Sequence, residues 1–540
     1  MDLSALAQRL GELEQRQEET ARELEQHRVE RDRALAERDA YRDLYHQMME
    51  RCRKLERGLM GQASERRRDD GAQMSFAVLS GLISERDKAA VDALAAEAKV
   101  EQVRGHTRRK PTGRQPLPEH LPRVDIEVLP DEVKREGLDA FEKIGEEITE
   151  VIERRPASHV VARVIKPKFV RVDRDKTDTT VFVGATPALP IERGLAGPGM
   201  LADTVVKRWQ DHQPLHRLED VYGRDGLSIA RSTMCTWHLQ LVPLVSPLIA
   251  AMRADAFEQP LLCTDATGVL VQAAKKCRRA HFWVLVAPGR HVLFEYTRDH
   301  TSDAVDSILA GYEGYLVADA HVVYDHLYED GLVIEANCWA HARRYFFKAV
   351  ESEPERARAV LDMLGPLFKL ERALKDAPKK KREKLRDKHA RPVVERFFSW
   401  CDEQWPTLLE STPLYDGVRY ARNQREGLQR FLSDGRIPLT NNVSERELRR
   451  QAVGRKNWMF VGSDDGAEAN AVFTSLLASC RMLGVEPWAY LRDIFCLLRD
   501  WPRHALLDLA PCNWAPTSSR DDVKAKLDAD PFRAITLARG

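Results

Sequence analysis

A multidomain α+β protein is predicted by three observations on this 540-residue chain. Its length exceeds one compact core, since a domain usually takes about 100–200 residues. Its hydrophobic period changes along the chain, from long segments with helical spacing to short β-branched runs and back. A proline-rich basic stretch at 104–123 separates the N-terminal segments from the rest. Hydrophobic residues make up 43% of the chain, enough for buried cores, and no run of about 18 apolar residues offers a membrane span. No charged-then-apolar leader opens the chain, so a soluble intracellular protein without membrane contact is expected.

Lys+Arg and Asp+Glu are equal at 84 each, so any argument for a polyanionic partner must come from the distribution of charge. The nine cysteines are scattered and include no C-x-x-C pair. That pattern suits reduced thiols and argues against a cysteine-rich zinc module.

Residues 1–60 are dense in Glu, Arg, Gln and Ala and lack proline. Leu3, Leu6, Leu10 and Leu13, and later Tyr41, Tyr45, Met48, Cys52, Leu55 and Leu59, repeat at three- and four-residue spacing. Such a seam predicts a self-associating coiled coil, hence a homo-oligomer. A helical segment at 61–103 and the linker at 104–123 follow. In the linker Arg108, Arg109, Lys110 and Arg114 suit either a DNA backbone or a solvated arm.

Residues 124–192 mix β-branched runs with charged turns and predict a small α+β module. Residues 193–255 read as helical, with a tight turn at Asp225-Gly226. A helix-turn-helix there would set Ser232, Thr233 and Thr236 near a DNA groove, while a plain helical hairpin fits the pattern equally.

At 256–349 three short β-rich runs, "PLLCTDATGVLVQ", "HFWVLVAP" and "HVLFEYT", precede a helix-like stretch. Next come "GYLVADAHVVYDHL", a strand ending at Asp319, and "GLVIEANCWAHARR", a fifth strand. The order β-β-β-α-β-α-β, with Asp265 on the first strand and Asp319 just after the fourth, is a ribonuclease-H-like arrangement. In it the first and fourth strands are neighbours, so the two carboxylates converge. Residues 350–430 predict a helical insertion, whose "KKKREKLRDK" at 379–388 reads as an exposed helix or a DNA contact. Residues 431–500 return to the core and 501–540 form a C-terminal tail.

Two readings of Glu445, within "PLTNNVSERELRR" at 438–450, stand on the residues alone. Asn442 and Glu445 have the spacing of a capping box. Alternatively Glu445 is the third carboxylate of a metal site, because phosphodiester chemistry uses two divalent ions about 3.5–4 Å apart held by hard oxygen ligands. Arg446, Arg449, Arg450, Arg455 and Lys456 would then neutralise DNA phosphates, and otherwise solvate a helix face. Asn442 can cap the helix and so fix Glu445, which makes the two readings compatible. Asn441 and His321 flank these acids as supporting groups. Cys338 and His341 form a C-x-x-H pair, too few ligands for zinc, and packing is the expected role.

The motifs "TDATG" at 264–268, "ADAHVVYD" at 318–325, "CWAHARR" at 338–344, "TNNVSERELR" at 440–449 and "LLDLAPCNWAP" at 506–516 resemble those of the insertion-sequence-66 (IS66) family of bacterial transposases. So do the zipper-like N-terminus, the "RRKPTGRQPLPEHLPR" linker and "GLAGPGMLADTVVKRW" before the core. The resemblance implies a DDE triad of Asp265, Asp319 and Glu445 on a retroviral-integrase-like core, with magnesium or manganese. It implies cleavage at the element's ends and strand transfer into target DNA, with double-stranded terminal inverted repeats and target DNA as partners. Accessory proteins encoded by the element and a bacterial cytoplasmic, nucleoid-associated location belong to the same expectation. Members of the family usually carry a four-cysteine zinc finger, but the comparable positions here read "KREG" at 134–137 and "RVDR" at 171–174. Zinc is therefore not expected, and the module is a degenerate, metal-free one. The rival readings are a nuclease or resolvase without strand transfer and a domesticated, non-catalytic DNA-binding protein.

Overall fold

The computed structural model describes residues 117–537 apart from 156–157, 173–179 and 274–275. Residues 114–540 form one compact unit. The proposed coiled coil, the segment 61–103 and the linker residues Arg108, Arg109, Lys110 and Arg114 lie outside the described residues.

The first sheet consists of β1 (Arg123–Glu127), β2 (Phe141–Arg155), β3 (Ser158–Arg171) and β4 (Phe182–Val183). Its spine is the long antiparallel hairpin β2–β3, with β1 parallel to β3. Glu136 of "KREG" and Arg171 of "RVDR" meet without sulfur: the two terminal Arg171 guanidinium nitrogens reach the Glu136 carboxylate, at 2.7 and 3.0 Å. Arg171 also lies over the Phe141 and Phe182 rings.

Glu153 on β2 is fully buried and accepts from the backbone N–H of Met200 at 2.8 Å and of Arg154 at 2.7 Å. A Cβ on Gly197 or Gly199 would overlap its carboxylate, so "GPGM" can close on the hairpin only through glycine. Burial pushes this carboxyl up to about 8.

The second sheet comprises β5 (Leu261–Val271), β6 (Arg278–Ala287), β7 (His291–Thr297), β8 (Gly314–Ala318) and β9 (Val333–Asn337). Its spatial order is β7-β6-β5-β8-β9. β5, β6 and β7 are antiparallel, whereas β5, β8 and β9 run parallel. Phe282 through Ala287 on β6 are all buried, because helices cover both faces and strand alternation sends successive side chains to opposite cores. Trp283 and Leu285 join one core; Phe282, Val284 and Val286 join the other.

The helix Arg231–Phe257 belongs to the first core. It is long and apolar enough to cross a membrane by composition, yet Met234, Trp237, Leu241, Val245, Leu248 and Met252 form a stripe buried within the protein. Edge strand β7 is covered by the helix Asp464–Leu483. Ser479 and Ser475 accept from the Val292 and Phe294 N–H groups at 2.9 and 2.8 Å, satisfying an edge that would otherwise invite pairing.

Two expectations change here. The segment 501–540 is no tail: the helices Asp521–Asp528 and Pro531–Leu537 bury Val523, Leu527, Phe532 and Ile535, and Phe532 and Ile535 pack on Val151, Val160 and Val164 of the hairpin. The "KKKREKLRDK" helix, Lys379–His389, is not wholly exposed, since Arg386 is fully buried. Arg386 binds both Glu371 oxygens at 2.7 Å and donates to the Phe431 and Asp434 carbonyls at 2.7 and 3.1 Å. Charge runs do not reveal which member a distant carboxylate will meet.

Candidate active site

The parallel ladder between β5 and β8 ends at the pair Cys263–Val317. Asp265 and Asp319 each stand two residues further on, and a two-residue step returns a side chain to the same face. Asp265 lies within β5 and Asp319 one residue past the end of β8, close enough for the Asp319 charge to act on Asp265. Beyond Asp319 the chain turns through Ala320, whose φ of +46° is costly for a residue with a Cβ. His321 follows and accepts from the Val323 N–H at 3.4 Å, starting the turn Val322–Tyr328.

Glu445 arrives on the helix Asn442–Trp458, which is strapped along β5. At its start the Asn441 amide donates to the Thr264 carbonyl at 2.7 Å, one residue before Asp265. Further along, Arg455 donates to the Gly268 carbonyl. After the helix, Val461 exchanges backbone bonds with Leu270 and Gln272, both at 2.8 Å.

The capping box is not formed as the spacing suggested. Asn442 is exposed within the first helical turn, and Asn441 is the cap residue. The Asn441 side-chain oxygen accepts from the Ser444 hydroxyl at 2.8 Å, and its N–H reaches the Cys338 sulfur at 3.1 Å. One residue's shift lets the cap residue bind two distant elements as well as its own helix.

Cys338 is buried and begins the helix Trp339–Ala349, which carries His341. His341 Nε2 lies 3.2 Å from Glu445 Oε1, in ion-pair range but out of line for a hydrogen bond, and that oxygen has no other partner. Contacts with Cys338 and Glu445 push the imidazole up to about 10, and the imidazolium draws Glu445 below the usual carboxylate range. Asp265 behaves oppositely. Burial, then the negative charges of Asp319 and Glu445, push it up to about 6 against a 2.8 Å bond from the Ala266 N–H. Asp265 therefore feels the charge of both other acids. Among the described residues no three His, Cys, Asp or Glu side chains already stand together as a metal cage.

The remaining predicted residues divide by environment. Ser232 and Thr236 are exposed and Thr233 half-buried at the start of Arg231–Phe257, and the Thr236 hydroxyl bonds back to the Ser232 carbonyl at 3.0 Å. Arg446, Arg449 and Lys456 are exposed. Arg450 and Arg455 are not: Arg450 has only 12% of its side chain exposed, and Arg455 is spent on β5. Arg208 and His212, not among the residues expected from sequence, pack beside Arg450. Their basic-aromatic context, "VKRWQDH", was the available signal.

Comparison with known proteins gives the same direction. The Transposase IS66 family matches residues 193–469, just over half of the chain, and covers Asp265, Asp319 and Glu445. The chain belongs to this family, which makes it a transposase acting on DNA. Residues 47–126 match a second pattern, described as Transposase C of IS166 homeodomain. Among similar chains, the uncharacterized protein y4hP of Sinorhizobium fredii is 28% identical over 86% of this chain and 88% of its own. The uncharacterized protein y4qI of the same organism is 29% identical with the same coverage.

Proposed function

We propose that this transposase cuts DNA at the ends of its element and joins the freed strand to target DNA, using Asp265, Asp319 and Glu445 as a divalent-metal triad on a ribonuclease-H-like core. The observation that carries this reading is that the parallel pair β5 and β8 brings Asp265, within β5, beside Asp319, just past the end of β8, with the Glu445 helix strapped to β5 by Asn441. The donor chemistry fits magnesium or manganese: three hard carboxylates, one raised by burial and then by its neighbours' charge, and one held ionised beside His341. Bound divalent ions would supply charge neutralisation at the attacking and leaving oxygens of an in-line displacement. His341 holds Glu445 ionised, and Asn441 fixes the start of its helix. Exposed Arg446, Arg449 and Lys456 carry positive charge along that helix toward DNA phosphates. Self-association through residues 1–60 would pair two element ends.

The test uses Asp265→Asn, Asp319→Asn and Glu445→Gln with element-end DNA and magnesium. Each variant should lose cleavage to background while binding DNA as the wild type does. Wild-type cleavage by any one removes that residue from the triad. Pre-cut ends joined to a plasmid by the wild type separate a transposase from a simple nuclease.

A further inference from the structure

On another face of the Asn442–Trp458 helix, a half-open cleft of about 10 Å³ is lined by Arg208, Trp209, His212, Arg450, Gly454 and Trp458. Gln451, Asn470 and Thr474 on its wall bond to one another, but three other donors, Arg208 Nη1, Trp209 Nε1 and Arg450 Nε, are buried without a hydrogen-bond partner. A buried N–H without an acceptor is costly, so three around one opening call for a ligand.

Charge balance points to an anion. Arg446, Arg450 and Arg481 converge on the single Glu447 carboxylate, at 3.6, 3.9 and 2.5 Å. Asp211 is the other acid near Arg450, against the cations Arg208, Arg450 and Arg481. The Arg208 guanidinium is held in place over the Trp209 ring at 4.4 Å, with Trp458 at 5.7 Å. The backbone departs from regularity here as well. Val206–Gln210 winds as a π-turn, and His212 takes a φ of +59°. Gly454 leaves the space open, since a Cβ there would sit 2.7 Å from Trp458 Nε1 and 3.4 Å from His212 Nδ1.

We propose that this cleft receives one non-bridging oxygen of a DNA backbone phosphate. The volume suits one oxygen, about that of a water, with the remainder of the phosphate outside. The proposal rests on the transposase reading only in naming DNA as the source of the phosphate.

The experiment compares full-length wild type, Arg208→Gln and Gly454→Ala. Thermal midpoints are read in inorganic phosphate against chloride at equal ionic strength, and the salt slope of binding is read with duplex DNA. Phosphate should raise the wild-type midpoint and neither variant's, and Arg208→Gln should lower the DNA salt slope by about one unit. Gly454→Ala keeps every charge while filling the space, so it carries the test if Arg208→Gln fails to fold. An equal midpoint in both salts would mean that the cleft holds only water and overturns the proposal. A phosphate shift with an unchanged DNA slope overturns the DNA assignment. Retained cleavage in the carboxylate variants would instead overturn the triad and leave the phosphate shift untouched, so the two failures are distinguishable.

Discussion

Arg386 and Arg208 are both deeply placed arginines, but the protein treats them differently. Arg386 has two carboxylate oxygens and two carbonyls within 3.1 Å, whereas Arg208 Nη1 has no acceptor. The first is complete within the fold and holds the insertion to the loop before the Glu445 helix. The second is complete only with a ligand. The acids divide in the same way. Glu153 Oε1 accepts two backbone N–H bonds inside the fold, while Asp265 stands among the like charges of Asp319 and Glu445.

The largest expected effect tests the unsaturated acids. Asp265→Asn should abolish cleavage yet make the protein more stable at neutral pH. The sign follows from the raised carboxyl: the fold loses stability as pH rises from the ordinary 3.8 to about 6, and Asn removes that loss. Melting curves should show a higher midpoint for the variant at pH 7.5 and convergence near pH 4. Magnesium should raise the wild-type midpoint and leave the variant's unchanged. A variant less stable than wild type at pH 7.5 would make Asp265 structural.

The converse substitution tests saturation. Arg386→Met leaves Glu371 without its partner, and breaking a buried pair from one side costs about 3–5 kcal/mol. Chemical denaturation should register that loss. A cost under about 1 kcal/mol, as for a surface pair, would end the distinction drawn from Arg386.

Glu153 should give a moderate, pH-dependent effect. With its carboxyl raised to about 8, wild-type stability should fall as pH rises from about 4.5 to 8, because the unfolded chain ionises first. Glu153→Gln should flatten that slope in a series of melting curves. Parallel slopes in the two proteins would show that Glu153 ionises freely in the fold.

The smallest effect belongs to the exposed arginines. Arg446→Gln and Arg449→Gln should each lower the salt slope of DNA binding by about one unit with little change in stability. Slopes equal to wild type would make them a solvated face.

Short-range pattern in the sequence already placed two of the acids. Asp265 stands within one apolar β-run and Asp319 directly after another, and strand alternation is a local property that survives any tertiary arrangement. The insertion was legible as helix for the same reason. Glu445 stood out through its arginines, but its capping residue was misread by one position, because Asn441 is held by Thr264 and Cys338, distant in sequence.

The sequence by itself determined the α+β class, the strands that carry Asp265 and Asp319 and the family motifs. Only the tertiary structure decided that Arg450 and Arg455 turn inward, that Arg386 is enclosed and that residues 521–537 fold onto the hairpin. The physical reason is range. Periodicity is written within about ten neighbouring residues, whereas the fate of a long charged side chain depends on which acceptor arrives from elsewhere in the chain.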